Sequence, residues 1–269
     1  TETLEYAAEQ GLTTTIITNG TLIAESEAKR LNDTSLAYIT LSLDGADRRV
    51  HEYIRGKGTF ARVLHSFELL KTHFRRPAFL YFTISKLNSH QIPEMFSLAA
   101  RMNCDGIRFR PVLPVGRAVR HGDLLLGRQE YRESLQKIQE LASDSSIGVD
   151  IPRSDSLCSD KETVINYDLY SNFGCIAGNT FIHVDPHGNL YPCQYLESPD
   201  FAAGNLFTSS LRHVWDTAPI FRVFRTFEGN PKCLSCELFA NCKGGCRARP
   251  ILFGDDMNAP DPWCSRAEE

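Results

Sequence analysis

Hydrophobic and polar positions in residues 1–125 alternate between a helical period and runs of β-forming residues. Leu4, Ala7 and Ala8 fall at helical spacing and stop at Gly11, and a β-rich run over residues 13–18 ends at Asn19-Gly20. The pattern then predicts a helix over 22–31 and a buried strand over 37–43 that ends in Asp44-Gly45. Phe60, Val63, Leu64, Phe67 and Leu70 mark the next helix, and residues 78–85 the next strand. Ile92, Met95, Phe96 and Ala99 give another helix before a strand over 106–112. Strands alternating with helices predict an α/β architecture built on a parallel sheet.

Tyr131, Leu135, Ile138 and Leu141 predict an amphipathic helix over 126–142, followed by a polar loop to about Tyr170 that bridges to the remainder. Residues 181–185 and 189–193 read as two short strands around a glycine turn at Gly188, which returns Cys193 to the start of the hairpin. Leu211, Val214, Trp215, Ile220, Phe221 and Phe224 form the apolar face of further helices, where packing is the expected role.

The 269 residues are 42% hydrophobic and 23% charged with a net charge of -4, so there is no global basic field and no nucleic-acid partner is expected. The longest apolar runs, such as 78–82, fall far short of the roughly 18 residues of a membrane span. No signal-like segment opens the chain, and the expected location is cytoplasmic.

What changes the picture is the placement of the nine cysteines: Cys104 and Cys158 precede residue 174, and Cys175, Cys193, Cys233, Cys236, Cys242, Cys246 and Cys264 follow it. An odd count without an export signal argues against disulfides. Cys104, just before the apolar positions Ile107 and Phe109, suits a core role. The run Cys233-x2-Cys236-x5-Cys242-x3-Cys246 does not, because Gly244 and Gly245 let the chain wrap closely around something held between sulfurs. Clustered thiolates suit zinc or iron-sulfur centres. One zinc would be satisfied by that run alone and would leave Cys175, Cys193 and Cys264 unused, whereas seven thiols suit two clusters.

The series Cys175, Gly188-x4-Cys193, Cys233-x2-Cys236-x5-Cys242-x3-Cys246 and Cys264 resembles the seven-cysteine signature of the SPASM domain, a C-terminal extension of many radical S-adenosylmethionine (SAM) enzymes. The resemblance implies two auxiliary 4Fe-4S clusters. By position the distal one takes Cys233, Cys236, Cys242 and Cys264, and the proximal one Cys175, Cys193 and Cys246. Some relatives carry a further cysteine soon after the first. Here that stretch has none, so the proximal cluster has an open iron or recruits Cys158, which is otherwise a free loop thiol.

Parallel sheets bind ligands beyond the carboxyl ends of their strands. Those ends here are Thr18-Asn19-Gly20, Ser42-Leu43-Asp44-Gly45, Lys86-Leu87-Asn88 and Arg108-Phe109-Arg110, each of which also has a plain turn or capping explanation. In order and spacing, with the Ile54-Arg55-Gly56 turn and the segment from Arg110 to Arg117, they resemble the radical SAM core, a six-strand partial (β/α)6 barrel. The resemblance implies SAM contacts from Ser42 and Asn88 first, with Thr18, Asn19 and Asp44 behind them; His51 and Arg55 serve either as turn residues or as substrate ligands. Arg247 and Arg249, beside Cys246, either tune a cluster, bind acidic substrate groups or make surface salt bridges. No Cys-x3-Cys-x2-Cys loop is present, and Arg249 stands where a third cysteine would follow Cys242 and Cys246. The expectation is therefore a chain lacking the first strands of the barrel and the loop for a third 4Fe-4S cluster, and unable to cleave SAM alone.

The expected organisation is a partial radical SAM core over 1–125, a helical bridge and loop over 126–170, and a small cysteine-rich α+β SPASM-type domain over 171–269. The expected activity is that of an oxidoreductase or maturase that modifies a ribosomal peptide or a tetrapyrrole (a haem precursor) through a 5'-deoxyadenosyl radical. A flavodoxin- or ferredoxin-type protein would donate the electrons. Sulfatase maturation is a third, less similar, substrate class. The alternative reading is a zinc-binding interaction module without catalysis.

Overall fold

A computed structural model describes residues 2–151, 174–264 and 266. The chain divides into two compact units: one holds the described residues of Thr1–Val112 and Glu133–Pro152, the other those of Leu113–Arg132 and Tyr167–Glu269.

The first unit is built on five parallel strands side by side in chain order: β1 (Thr15–Thr18), β2 (Tyr38–Ser42), β3 (Ala78–Ile84), β4 (Gly106–Pro111) and β5 (Gly148–Asp150). Helices α1 (Glu2–Glu9), α2 (Glu25–Asn32), α3 (Arg48–Arg55), α4 (Thr59–His73), α5 (Ile92–Arg101) and α6 (Arg128–Ser143) intervene. Sequential parallel strands joined by right-handed crossovers place their helices on one side of the sheet. Accordingly α4 touches β2 and β3, and α5 touches β4. This is the α/β architecture that the alternating pattern predicts.

Because strand side chains alternate in direction, the register sorts the sheet into two unlike faces. Leu41 pairs with Leu80, Leu80 with Ile107 and Phe82 with Phe109, and these side chains are buried on the helix face. Phe109 there stacks on Phe96 of α5, at 5.8 Å between ring centroids, and meets Phe82 edge-on at 5.7 Å. Each such residue contributes about 1.5–3 kcal/mol by leaving water. The opposite face carries Tyr38, Thr40 and Ser42 of β2, Tyr81 and Thr83 of β3, Arg108 and Arg110 of β4, and Asp150 of β5.

Two elements depart from the sequence expectation. Residues 148–150 form β5 where a polar loop is expected, because three residues are too few to show alternation and Gly106↔Gly148 pairing recruits them. A Cβ at Gly106 would stand 2.7 Å from the Gly148 carbonyl oxygen, so the strands approach as closely as they do only because glycine is there. Residues 48–55, read as leading to a turn, form the helix α3, whose charged sequence hides its period. Asp47 caps it by accepting a hydrogen bond from the Val50 N–H at 3.0 Å, and Gly56, at φ +99°, ends it.

In the second unit an antiparallel sheet is formed by β6 (His183–Val184), β7 (Asn189–Tyr191) and β8 (Gly204–Asn205). The hairpin is shorter than the pattern suggests but turns at the same glycine. Asp185 accepts from the N–H groups of His187 (2.8 Å) and Asn189 (2.9 Å), and Gly188 supplies φ +78°. Helices Leu211–Thr217 and Pro219–Arg225 bury Val214 and Phe221 with Leu190 and Ala218, which is packing as expected. The rest is short: helix Pro231–Leu234 carries Cys233, helix Phe239–Cys242 ends on Cys242, and helix Ala248–Leu252 follows Cys246.

Candidate functional site

The five strand-end residues of the first unit differ in what their polar atoms do. Thr18 Oγ1 accepts from Gly20 N–H at 3.1 Å, and Asn19 Oδ1 accepts from the Thr21 N–H and hydroxyl, so both shape the turn after β1. Asp44, buried, accepts from Thr83 N–H through Oδ1 at 2.9 Å and from Arg55 Nε through Oδ2 at 2.5 Å. Asn88 is fully enclosed. Its Oδ1 accepts from the Ser85 N–H and hydroxyl, and its Nδ2 donates to the carbonyls of Asp44 (3.0 Å) and Thr83 (2.8 Å). Asn88 and Asp44 thus tie the ends of β2 and β3 together. Ser42, at the carboxyl end of β2, is the one whose hydroxyl makes no hydrogen bond among the described residues, and the residue is 6% exposed.

His51 sits on α3 with its Nδ1 accepting from the Asp44 N–H at 3.2 Å, which leaves the proton on Nε2. Nε2 is buried and has no partner among the described residues. Burial holds the His51 pKa below the ordinary value, with Asp44 opposing, so the ring is neutral. His51 and Arg55 therefore both support the Asp44 hub. Cys104 is core: its thiol donates to the Gly106 carbonyl at 3.0 Å, and burial pushes its pKa up to about 12.

The second unit gathers thiols. Cys175, Cys193 and Cys246 pack against one apolar cluster of Ala177, Leu196, Phe224 and Ala248. They are near enough that a charge on Cys175 raises the pKa of Cys193 and of Cys246. Burial is the larger effect and pushes Cys193 and Cys246 up to about 12. Local structure explains the meeting. Gly178 N–H donates to the Pro192 carbonyl at 3.2 Å, which sets the turn after Cys175 beside Cys193. Cys193 lies at the start of a 3-10 turn where its Sγ accepts from the Tyr195 N–H at 3.4 Å, the kind of bond that tunes a cluster sulfur. Gly174 presses on Cys242, whose carbonyl an added Cβ would strike, so this group also approaches the Cys233–Cys242 segment.

Cys233 and Cys236 share a turn, the Cys236 N–H donating to the Cys233 carbonyl at 3.0 Å, and Arg266 beyond Cys264 pairs with Glu237 at 2.9 Å. Asp261 joins the remaining cysteine segments. Its Oδ2 accepts from the Cys246 N–H (2.8 Å) and from Arg249 Nη2 (2.7 Å), its Oδ1 from the Trp263 N–H (3.0 Å), and its carbonyl from the Cys264 N–H (2.9 Å). Of the alternatives for Arg247 and Arg249, surface salt bridges are excluded, because both side chains are buried. Arg247 donates to the carbonyls of Met257, Ala259 and Gly244 and covers the Phe227 ring, and Arg249 lies over Trp263. The surrounding glycines and prolines give no period from which this burial could be read. Among the described residues no group of three or more His, Cys, Asp or Glu side chains closes around a single metal ion. The four thiolates of a cluster bind separate irons and need no such close sphere. Cys158 lies outside the described residues.

The fold and the thiols define the class of arrangement: a parallel α/β sheet followed by a cysteine-rich unit in which several thiols converge. Residues 1–99 match the family model of the Radical SAM superfamily, and residues 175–237 match SPASM, an iron-sulfur cluster-binding domain. The chain is thus similar to the Radical SAM superfamily over residues 1–99 and to the SPASM domain over residues 175–237. It is 28% identical over 264 residues to the mycofactocin maturase MftC of Mycolicibacterium smegmatis, covering 98% of this chain and 66% of that protein. It is also 28% identical over 281 residues to the AdoMet-dependent heme synthase of Nitratidesulfovibrio vulgaris, covering 98% of this chain and 74% of that one. The structure of native anSMEcpe with bound AdoMet shares the fold, with a TM-score of 0.76 at 21% identity over 95% of this chain and 71% of that one. The chain thus spans about two thirds to three quarters of the length of these proteins. No helix among the described residues is long and apolar enough to cross a membrane.

Proposed function

We propose that this chain serves a cytoplasmic radical SAM/SPASM maturase or oxidoreductase that acts on a ribosomal peptide or a tetrapyrrole, with electrons supplied by a flavodoxin- or ferredoxin-type protein. Bound SAM, given one electron from the donor protein, would supply hydrogen-abstraction chemistry by splitting into methionine and a 5'-deoxyadenosyl radical. The residues fit the two kinds of cofactor. Ser42 offers an unpartnered hydroxyl at a strand end, and Asn88, Asp44 and His51 hold that end in place. Cys175, Cys193 and Cys246 would hold the proximal auxiliary cluster, with Cys158 as a further candidate ligand. Cys233, Cys236, Cys242 and Cys264 would hold the distal one.

The observation that carries this reading is the convergence of Cys175, Cys193 and Cys246 on one apolar cluster from segments well separated in the chain, with Asp261 tying the Cys246 loop to the Cys264 segment. The sequence contains no Cys-x3-Cys-x2-Cys triplet, so the cluster that binds SAM must draw on thiolates outside these 269 residues. Iron and acid-labile sulfide measured on anaerobically reconstituted protein test the reading: about eight irons, four for each cluster, are expected. One or two zinc ions in a colourless sample would replace it with a zinc-binding module. SAM cleavage by the isolated chain under dithionite would refute the need for outside thiolates.

A further inference from the structure

We infer that Arg108, on the sheet face opposite the helices, is a docking point for a carboxylate of the substrate; this deepens, and rests on, the maturase reading above. Arg108 and Arg110 stand two apart on β4 and so project from the same face. Both engage one acid, Asp150 of β5: Arg108 Nε donates to Oδ2 at 2.7 Å, and Arg110 Nη2 donates to Oδ1 and Oδ2 at 3.0 Å. Among the described residues, two guanidiniums on one carboxylate leave an excess of one positive charge where the three side chains are only 20–22% exposed. The nearby Arg55–Asp44 pair is already neutral and does not compensate it.

Arg110 alone is enough to lock β4 to β5, because its Nη1 also donates to the Asp150 carbonyl at 3.0 Å. Arg108 is surplus to that role. Its Nη1 donates to the Tyr38 hydroxyl at 3.2 Å and its guanidinium lies 5.3 Å from the Tyr38 ring centroid, so the plane is held in a fixed orientation. Its Nη2 donates to nothing among the described residues. A pre-oriented, partly desolvated guanidinium with an unused donor and a missing counter-charge suits a carboxylate. Tyr81, on the same face, is kept as a neutral phenol, with burial raising its pKa, and cannot supply the missing charge. The carboxylate belongs either to an acidic peptide residue or to a tetrapyrrole propionate.

Calorimetric titration of the anaerobically reconstituted chain, without SAM, separates these sources. One arm uses a glutamate-containing hexapeptide and its methyl ester, the other a porphyrin dicarboxylate and its dimethyl ester. In one arm the free acid is expected to bind at least tenfold more tightly than its ester, and R108Q should abolish that preference. If R108Q fails to fold by circular dichroism, R108K carries the same test, since it keeps the charge but loses the planar fork, and the preference should fall. Equal binding of acid and ester in both arms, an undiminished preference in a folded variant, or displacement of the acid by SAM would each overturn the assignment. The contrast does not depend on cluster loading, so it is readable even where the iron analysis fails.

Discussion

Replacing Asp261 with asparagine tests whether the second unit is knit together by one buried carboxylate. The Arg249–Asp261 side chains are each 4% exposed and 2.7 Å apart, and the same carboxylate accepts from the Cys246 and Trp263 amides. Removing one partner of a buried ion pair costs about 3–5 kcal/mol. Asparagine keeps an acceptor for one amide, which places D261N near the lower end, about 3 kcal/mol. At a urea slope of about 1.5 kcal/mol/M this moves the unfolding midpoint down by about 2 M. Both tryptophans of the chain, Trp215 and Trp263, lie in the second unit, so their fluorescence reports on that unit directly. D261N should also retain less iron after desalting, because the Cys246 and Cys264 segments lose their common tether. R249M supplies the control: in a double-mutant cycle the two substitutions should couple by more than about 1.5 kcal/mol. A cost below about 1 kcal/mol, or strict additivity in the cycle, would refute the role given to Asp261.

Three further outcomes follow from particular side chains. Cys104, with its thiol donating inside the core and its pKa pushed up to about 12, should resist maleimide in the native cluster-free protein and react only on denaturation; rapid native labelling would show the core reading to be wrong. Burial lowers the His51 pKa below its unfolded value, so the unfolded state binds the extra proton first. Stability of the first unit should then fall as pH drops from the ordinary histidine value of 6.5 towards the folded pKa, and H51N should flatten that slope in urea titrations. N88A removes the partner of two carbonyls and of the Ser85 amide in a fully buried turn, and should cost about 1–3 kcal/mol in urea unfolding; a neutral N88A would mean that water fills the gap.

The strands and helices whose apolar residues face one dry side were legible in the sequence. β2, β3 and β4 each place every second residue under α4 or α5, and that regularity is what a periodic reading detects. β5 was not legible, since Gly-Val-Asp has no period of its own and becomes a strand only through β4. Nor was α3, whose eight residues bury only Val50 and His51, so its helix signal lies in the Asp47 cap and the Gly56 stop. Among site residues, the cysteine spacing carried information because ligand order survives in a unit with few long elements. The polar strand ends carried less. Nothing in the letters Asn88 distinguishes a side chain whose four hydrogen-bonding positions are consumed by its neighbours from one open to a ligand, and nothing in Arg247 or Arg249 announces burial.

The strand-end motif gives Arg108 no role of its own, and the reason lies in the sheet. Outward alternation makes Ile107 and Phe109 conspicuous as core, and by the same alternation pushes Arg108 and Arg110 to the other face. In a sheet covered on both sides by helices such a pair would have to be neutralised within the fold, because uncompensated charge in a dry interior is costly. Here one face is packed by Phe82, Phe96 and Phe109, while the other collects two arginines, one aspartate, two tyrosines and four hydroxyl residues beside Ile17 and Phe79. Helix-side packing makes that polar face rigid, through Phe82, Phe96 and Phe109, and rigidity is what lets a single surplus guanidinium discriminate between a carboxylate and its ester. The sheet's two faces are therefore parts of one device, in which the hydrophobic pattern readable from sequence fixes the geometry of the polar residues that are not.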